Sequence, residues 1–192
     1  MENGIRISQE DITSCCSGRL VVPSALLGDL PRSIRVWRGR NKKYADAGFA
    51  GKFSCRVFSR AAKELIDSFD PGVYQFLKIK KTIDGNKNEI ETPFYVAVIM
   101  SLPQNAIDTE KSPLIWKPIM AGSDQKYWKL ATTREEAMGR KMTLMKAAIG
   151  ERHFWGGSPK LLATVEFCSD VFRDAWERAG LQGFGFIDCD ES

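Results

Sequence analysis

The feature of this sequence that most constrains its fold is an amphipathic helix predicted over residues 168–181. Ser169 stands near the start, where a side-chain oxygen can accept a hydrogen bond from a first-turn amide, and Gly180 stands at the end, where a left-handed residue terminates a helix. The apolar residues of the segment share one face: Val171, Phe172, Ala175, Trp176 and Ala179. Because such a face must be buried, the segment predicts packing against another element and indicates no chemistry.

Residues 58–72 repeat the design of this helix. Ser59 is the predicted capping residue, and Pro71-Gly72 is the predicted stop. Counted from the two serines, the apolar positions coincide: Ala62, Leu65, Ile66 and Phe69 match Phe172, Ala175, Trp176 and Ala179. Each helix precedes a segment predicted to be a strand, at residues 73–80 and 183–187. These two similar helix–strand halves fit either an internal duplication or the design common to helices that pack on a sheet.

Residues 92–102 are the predicted centre of the sheet, because an apolar run without alternation is typical of a strand buried on both faces. Residues 83–88 predict a hairpin turn, and a further helix is predicted within residues 131–149. Together these elements predict an α+β fold, with helices packed on a mostly antiparallel sheet. The sequence shows no long polar linker, so we expect a single domain over residues 1–192, with a basic N-terminal part (1–54) and a core (55–192).

Composition excludes several functional classes. The chain has 192 residues and a net charge of +4, a surplus too small to indicate nucleic-acid binding by itself. No apolar run approaches the roughly 18 residues of a membrane span, and the start of the sequence lacks the pattern of a signal peptide. We therefore expect a cytoplasmic protein that does not bind membranes.

The residue types that commonly bind metals and cofactors do not occur here at the spacing of a known binding motif. The five cysteines are odd in number: Cys15, Cys16, Cys55, Cys168 and Cys189. Gly180, Gly183 and Gly185 follow a helix and precede a predicted strand, which is the reverse of a dinucleotide-binding loop. We therefore predict no metal and no cofactor. His153, the only histidine, fits either a side chain held by hydrogen bonds near the core or a catalytic partner of a cysteine or carboxylate.

Basic and aromatic residues alternate within residues 32–52. Such interleaving can hold phosphates and stack bases, which would make a nucleic-acid groove. The same residues fit an amphipathic strand at 35–38 followed by a solvated loop at 39–51, and we favour this second interpretation.

The order of several stretches is more specific than any one of them. They are 58–66 (Phe-Ser-Arg-Ala-Ala-Lys-Glu-Leu-Ile), 74–76 (Tyr-Gln-Phe), 95–98 (Tyr-Val-Ala-Val), 105–108 (Asn-Ala-Ile-Asp), 153–155 (His-Phe-Trp), 167–170 (Phe-Cys-Ser-Asp) and 179–184 (Ala-Gly-Leu-Gln-Gly-Phe). This order resembles the immunity-protein family numbered eleven of polymorphic-toxin systems, over residues 55–187. The chain departs from many members of that family in having Cys168 before the capping serine, and its first 50 residues show no resemblance.

The resemblance implies a bacterial protein that neutralises a cognate toxin by direct binding, without catalysis. Inhibitors of this kind use aromatic and arginine anchors within a polar rim, and a basic segment would favour an acidic toxin. On that basis the predicted partner-binding residues are Trp37, Arg38, Arg40, Lys42, Lys43, Tyr44, Trp128, His153 and Trp155. Two alternatives stay open: an enzyme that reverses a toxin's modification through His153, and a nucleic-acid-binding module built on residues 32–52.

Overall fold

The computed structural model describes residues 33–35, 44–50, 55–84, 86–99, 103, 105–118, 126–130, 141–156 and 166–192. The chain divides into two compact units. Unit 1 combines Met1–Ser101 with Asp170–Phe184, and unit 2 combines Leu102–Ser169 with Gly185–Ser192. The expectation of a single domain over residues 1–192 stays a prediction.

In chain order, the helices and strands are β1 (Ser33–Arg35), β2 (Ala47–Ala50), β3 (Cys55–Ser59), α1 (Arg60–Phe69), β4 (Tyr74–Lys78), β5 (Lys81–Ile83), β6 (Phe94–Ile99), β7 (Leu114–Pro118), β8 (Lys126–Leu130), β9 (Thr143–Leu144), α2 (Lys146–Ile149), β10 (Phe154–Gly156), β11 (Glu166–Cys168), α3 (Asp170–Arg178) and β12 (Asp190–Glu191). Pairing is antiparallel except for β1 with β5 and β9 with β12. The predicted α+β class with a mostly antiparallel sheet is confirmed.

The main sheet of unit 1 has the strand order β2-β3-β6-β4, so β6 lies at its centre as predicted. Phe94, Val96, Ala97 and Val98 of this strand are buried, which accounts for its apolar run. The loop predicted over residues 39–51 is wrong for its last part, because β2 pairs with β3 there.

Helix α1 follows β3 directly and begins where the sequence predicts. The hydroxyl oxygen of Ser59 accepts a hydrogen bond from the amide of Ala62 at 3.2 Å. Ala62 and Ile66 are fully buried. The helix ends at Asp70, whose amide donates to the carbonyl of Ile66 at 2.9 Å. The capped, one-sided helix predicted over this segment is therefore confirmed.

Helix α3 packs in the same unit through aromatic side chains. Phe172 and Trp176 are buried, and the ring of Phe172 meets that of Phe69 of α1 edge-on, with centroids 5.3 Å apart. Trp176 contacts Phe184 at 4.7 Å. The predicted apolar face is too wide by two residues, because Val171 is 57% exposed and Ala179, which follows the end of α3, is also exposed. Adjacent residues lie about 100° apart around a helix, so burying Phe172 and Trp176 turns Val171 outward.

The strand predicted after α3, at residues 183–187, is absent from the structure. Gly180 ends the helix in a left-handed conformation with a φ of 66°. The carbonyl of Gln182 then accepts hydrogen bonds from the amides of Asp46 (2.7 Å) and Ala47 (3.0 Å). These two hydrogen bonds attach the segment locally and do not form a β-ladder. Each of the two helices does follow a strand directly: β3 precedes α1, and β11 precedes α3.

Unit 2 is built from short strand pairs around a small core. The buried residues of that core are Ile107, Leu144, Trp155 and Phe167. The helix predicted within residues 131–149 is wrong for the described residues 141–145, since β9 pairs there with β12. The helical part of the described residues 141–149 is the single turn α2. Among the described residues, no helix combines the length and apolar composition needed to cross a membrane.

Candidate functional site

The predicted partner-binding residues differ in how much of each residue the structure describes. Trp37, Arg38, Arg40, Lys42 and Lys43 lie outside the described residues. For Trp128 the structure describes the backbone, which lies in β8 opposite Trp116 of β7. The side chains of Tyr44, His153 and Trp155 are described. Tyr44 belongs to unit 1, whereas Trp128, His153 and Trp155 belong to unit 2.

Tyr44 is half-buried and stands two residues before a firmly held carboxylate. The two oxygens of Asp46 accept hydrogen bonds from the hydroxyl of Ser59 (2.7 Å) and the amide of Gln182 (3.0 Å). The carboxylate thus joins the start of α1 to the segment after α3, both within unit 1. Tyr44 is therefore attached to a fixed part of unit 1.

His153 is held by hydrogen bonds at both its ring and its backbone. Its Nδ1 lies 2.9 Å from the hydroxyl oxygen of Ser169, and its carbonyl accepts the amide of Ser169 at 2.9 Å. The ring is half-buried. These contacts match the interpretation of a histidine fixed near the core, and they also place a hydroxyl group beside the ring.

Trp155 lies in the core of unit 2 and is only 3% exposed. Pairing of β10 with β11 sets it opposite Phe167, and the two rings stack with centroids 5.9 Å apart. The side chain of Trp155 therefore lies beneath the surface of unit 2. Its predicted role in partner binding stays a prediction, and in this arrangement the side chain would support a surface from beneath.

A groove of about 450 Å³ lies in unit 1 beside the start of α1, and we call it the α1 groove. Its cationic lining residues are Arg60, Lys78 and Lys80, all exposed. The part of the chain that the structure describes supplies no ion pair or hydrogen bond to these three side chains. The groove therefore combines a concave shape with uncompensated positive charge.

Two carboxylates also line the α1 groove, but one of them is neutralised. Lys81 forms an ion pair with Glu89 at 3.0 Å, which leaves Glu91 as the other acidic lining residue. The other lining residues are the buried Ile79 and Thr82, the half-buried Ile90 and Pro93, and the exposed Thr92. Sequence reasoning missed this site because its residues come from a helix start, a strand connection and a hairpin that meet only in the fold.

Two other cations of unit 1, Arg56 and Lys63, have surroundings that shift their pKa values. Burial lowers the pKa of Arg56, partly opposed by Tyr74. A hydrogen bond to Asp67, 2.7 Å long, raises the pKa of Lys63, whose ammonium also lies 5.4 Å from the centre of the Phe76 ring. Arg60, Lys78 and Lys80 thus differ from these residues in facing a groove without a described partner.

Within the described ranges, no three or more His, Cys, Asp or Glu residues form a group suited to hold a metal ion. Cys189 lies in unit 2 as a half-buried free thiol. Burial raises its pKa, and the neighbouring Asp188 and Asp190 add to this effect. A thiol held in its protonated form is a poor nucleophile and a poor metal ligand.

The model of the immunity protein family (Imm11) matches residues 24–191. The match includes both units and begins well before residue 55, so it extends the resemblance into the basic N-terminal part. No curated protein matches the sequence significantly.

Proposed function

The chain belongs to the immunity protein family Imm11, and from this premise we propose that it binds a cognate bacterial toxin directly and neutralises it without catalysis. The family match over residues 24–191 is the observation that carries this proposal. Membership supports an immunity function, and the physical character of the described units supports direct binding as its mechanism.

A binding inhibitor needs a surface that is already ordered before it meets its target, because ordering flexible groups costs free energy on association. Unit 1 meets this need. Helix α1 packs against the four-stranded sheet, and aromatic contacts connect β3, α1, α3 and the segment after α3, including Phe58 with Phe184 at 6.2 Å. Asp46 adds hydrogen bonds to the same region.

We propose that toxin contact uses the predicted set of Trp37, Arg38, Arg40, Lys42, Lys43, Tyr44, Trp128, His153 and Trp155. Aromatic and arginine side chains contribute most of the energy in typical interfaces, and a basic segment accelerates association with an acidic partner. Substitution of the buried Trp155 would report on the support of the surface, whereas substitution of the half-buried His153 would report on the surface itself.

The test is co-expression with the toxin encoded beside the gene of this protein. We expect growth to be restored and the two proteins to co-purify near a one-to-one ratio. Failure of both results, with a toxin that is active on its own, would contradict the proposal.

The enzyme alternative has a specific observation in its favour, the hydroxyl of Ser169 at 2.9 Å from the His153 ring. His153→Ala and Ser169→Ala separate the two mechanisms. Under direct binding, each variant that still binds the toxin protects the cell. A variant that binds with unchanged affinity but no longer protects would support catalysis.

We also propose a cytoplasmic location and a single folding domain over residues 1–192. Thermal unfolding should then show one transition, coincident in the far- and near-ultraviolet circular dichroism. Two separate transitions would contradict the single domain. Cell fractionation tests the location.

A further inference from the structure

Arg60 occupies a position that helix electrostatics disfavours. It is the first residue of α1, and the first turn of that helix contains no acidic residue. The start of a helix carries partial positive charge, so a cation is unfavourable there. Sequences tend to break local rules of this kind at functional sites. An anion bound in the α1 groove would turn the unfavourable position of Arg60 into a favourable one.

The shape of the α1 groove suits a segment of polypeptide. Its volume of about 450 Å³ lies within the roughly 300–1,000 Å³ typical of binding pockets. Among its lining residues, Ile79 and Thr82 are buried, Ile90 and Pro93 are half-buried, and the cations Arg60, Lys78 and Lys80 are exposed. A mostly polar lining with three exposed cations favours a segment that carries carboxylates.

The backbone around the α1 groove is fixed by hydrogen bonds. The amide of Ile79 donates to the carbonyl of Phe94 at 2.9 Å, and the amide of Ile90 donates to the carbonyl of Thr82 at 2.9 Å. The walls are therefore ordered before any partner arrives, so less conformational freedom is lost when one binds.

From these observations we propose that the α1 groove is a docking site for an acidic segment of the cognate toxin, with Arg60, Lys78 and Lys80 pairing with its carboxylates. The inference rests on the proposed function and adds to it a surface, outside the predicted contact set, together with the chemistry of its partner. Charge complementarity decides the occupant, because three cations face a single uncompensated carboxylate, Glu91.

The experiment measures the affinity of the toxin from the neighbouring gene for two triple variants by calorimetry. The groove variant is Arg60→Glu, Lys78→Glu and Lys80→Glu. The control, Lys87→Glu, Lys141→Glu and Lys146→Glu, changes the net charge equally at exposed positions that do not line the α1 groove. We expect the dissociation constant to rise about 100-fold or more for the groove variant and less than about threefold for the control, because paired charges within an interface contribute far more than remote ones.

A neutral variant guards against an effect on folding. Arg60→Gln, Lys78→Gln and Lys80→Gln removes the cations without adding repulsion, and we expect a loss of about tenfold or more. Circular dichroism should show a melting temperature no lower than that of the wild type for both groove variants, since their substituted side chains are exposed.

The outcomes distinguish the proposals. Full binding by both groove variants would overturn the docking site while leaving the proposed function intact. Failure of the wild-type protein to bind the toxin would overturn both. If 30-nucleotide single-stranded RNA binds and loses affinity only with the groove variants, while toxin binding is unchanged, the occupant is a nucleic acid and the docking site is overturned.

Discussion

Helices α1 and α3 of unit 1 share a pattern of apolar residues but differ at their ends. Helix α3 has Asp170 in its first turn and Arg178 in its last, so both charges stabilise the helix dipole. Helix α1 has Arg60 at its start, no acidic residue in the first turn and no basic residue in the last. The difference teaches that α3 is optimised for packing, whereas α1 retains charges that its own stability does not require.

The largest expected effect concerns burial, which both helices share. Trp176→Ala in α3 should lower the free energy of unfolding by about 3–5 kcal/mol, and Ile66→Ala in α1 by about 2–5 kcal/mol. Both side chains are at most 1% exposed. Urea denaturation measures both losses. Val171→Ala is the matched control, because that side chain of α3 is largely exposed, and a comparable loss there would contradict the described face of the helix.

The next largest loss of stability is expected from a substitution in the segment after α3. Gly183 has a φ of 117°, and a Cβ at this residue would overlap the carbonyl oxygen of Ala47 and lie 2.8 Å from its amide nitrogen. Gly183→Ala should therefore destabilise unit 1 by about 2 kcal/mol or more. Gly185→Ala, where a Cβ meets nothing within 4 Å, should change stability by less than about 0.5 kcal/mol. Equal unfolding midpoints would contradict the close approach.

The start of α1 should show a smaller loss. Ser59→Ala removes the acceptor for the Ala62 amide and the donor to Asp46, at a cost of about 1–2 kcal/mol. Ser68→Ala, on the exposed part of the same helix, removes only a hydrogen bond to the carbonyl of Leu65 and should be close to neutral. Thermal unfolding of both variants tests whether the cap matters more than an ordinary surface hydroxyl.

Substituting the charged residue at the start of each helix should change the free energy of unfolding by a still smaller amount, with opposite signs for α1 and α3. Arg60→Glu should stabilise α1 by about 0.3–1 kcal/mol, and Asp170→Lys should destabilise α3 by a similar amount. Both shifts should shrink in 1 M salt, which screens exposed charges. A destabilised Arg60→Glu variant would show that Arg60 has a structural partner and would remove the contrast between the helices.

The smallest effect is a dependence on pH that belongs to α1. Because the hydrogen bond to Asp67 raises the pKa of Lys63, the stability from this pair is fully present below the unfolded pKa of about 10.4. It is lost as pH rises through the higher folded value. We expect a loss of about 0.2–0.5 kcal/mol, typical of an exposed helical pair. In Lys63→Arg this loss should vanish, because arginine stays protonated.

The elements that local pattern predicts well are those whose residues act alone or with near neighbours. The buried run of β6 and the Ser59 cap of α1 are visible in the sequence for this reason. The burial of Trp155 depends on its pairing with Phe167 across two strands, and the α1 groove depends on residues that meet only after the sheet and hairpin form. The exposed fraction of the Trp155 side chain and the surroundings of Arg60 are both determined by the fold, so local sequence does not predict them.

The hydrogen bond between Asp46 and Gln182 joins residues 136 positions apart. In the same way, β12 at residues 190–191 completes a pairing with β9 in unit 2. On the ribosome, neither unit can acquire these contacts until residues 170–192 have been synthesised. A nascent chain that ends before α3 therefore leaves the contacts of Phe69 with Phe172 and of Phe58 with Phe184 unmade, and such chains are prone to aggregate. Both units therefore complete these contacts only after residues 170–192 have been synthesised.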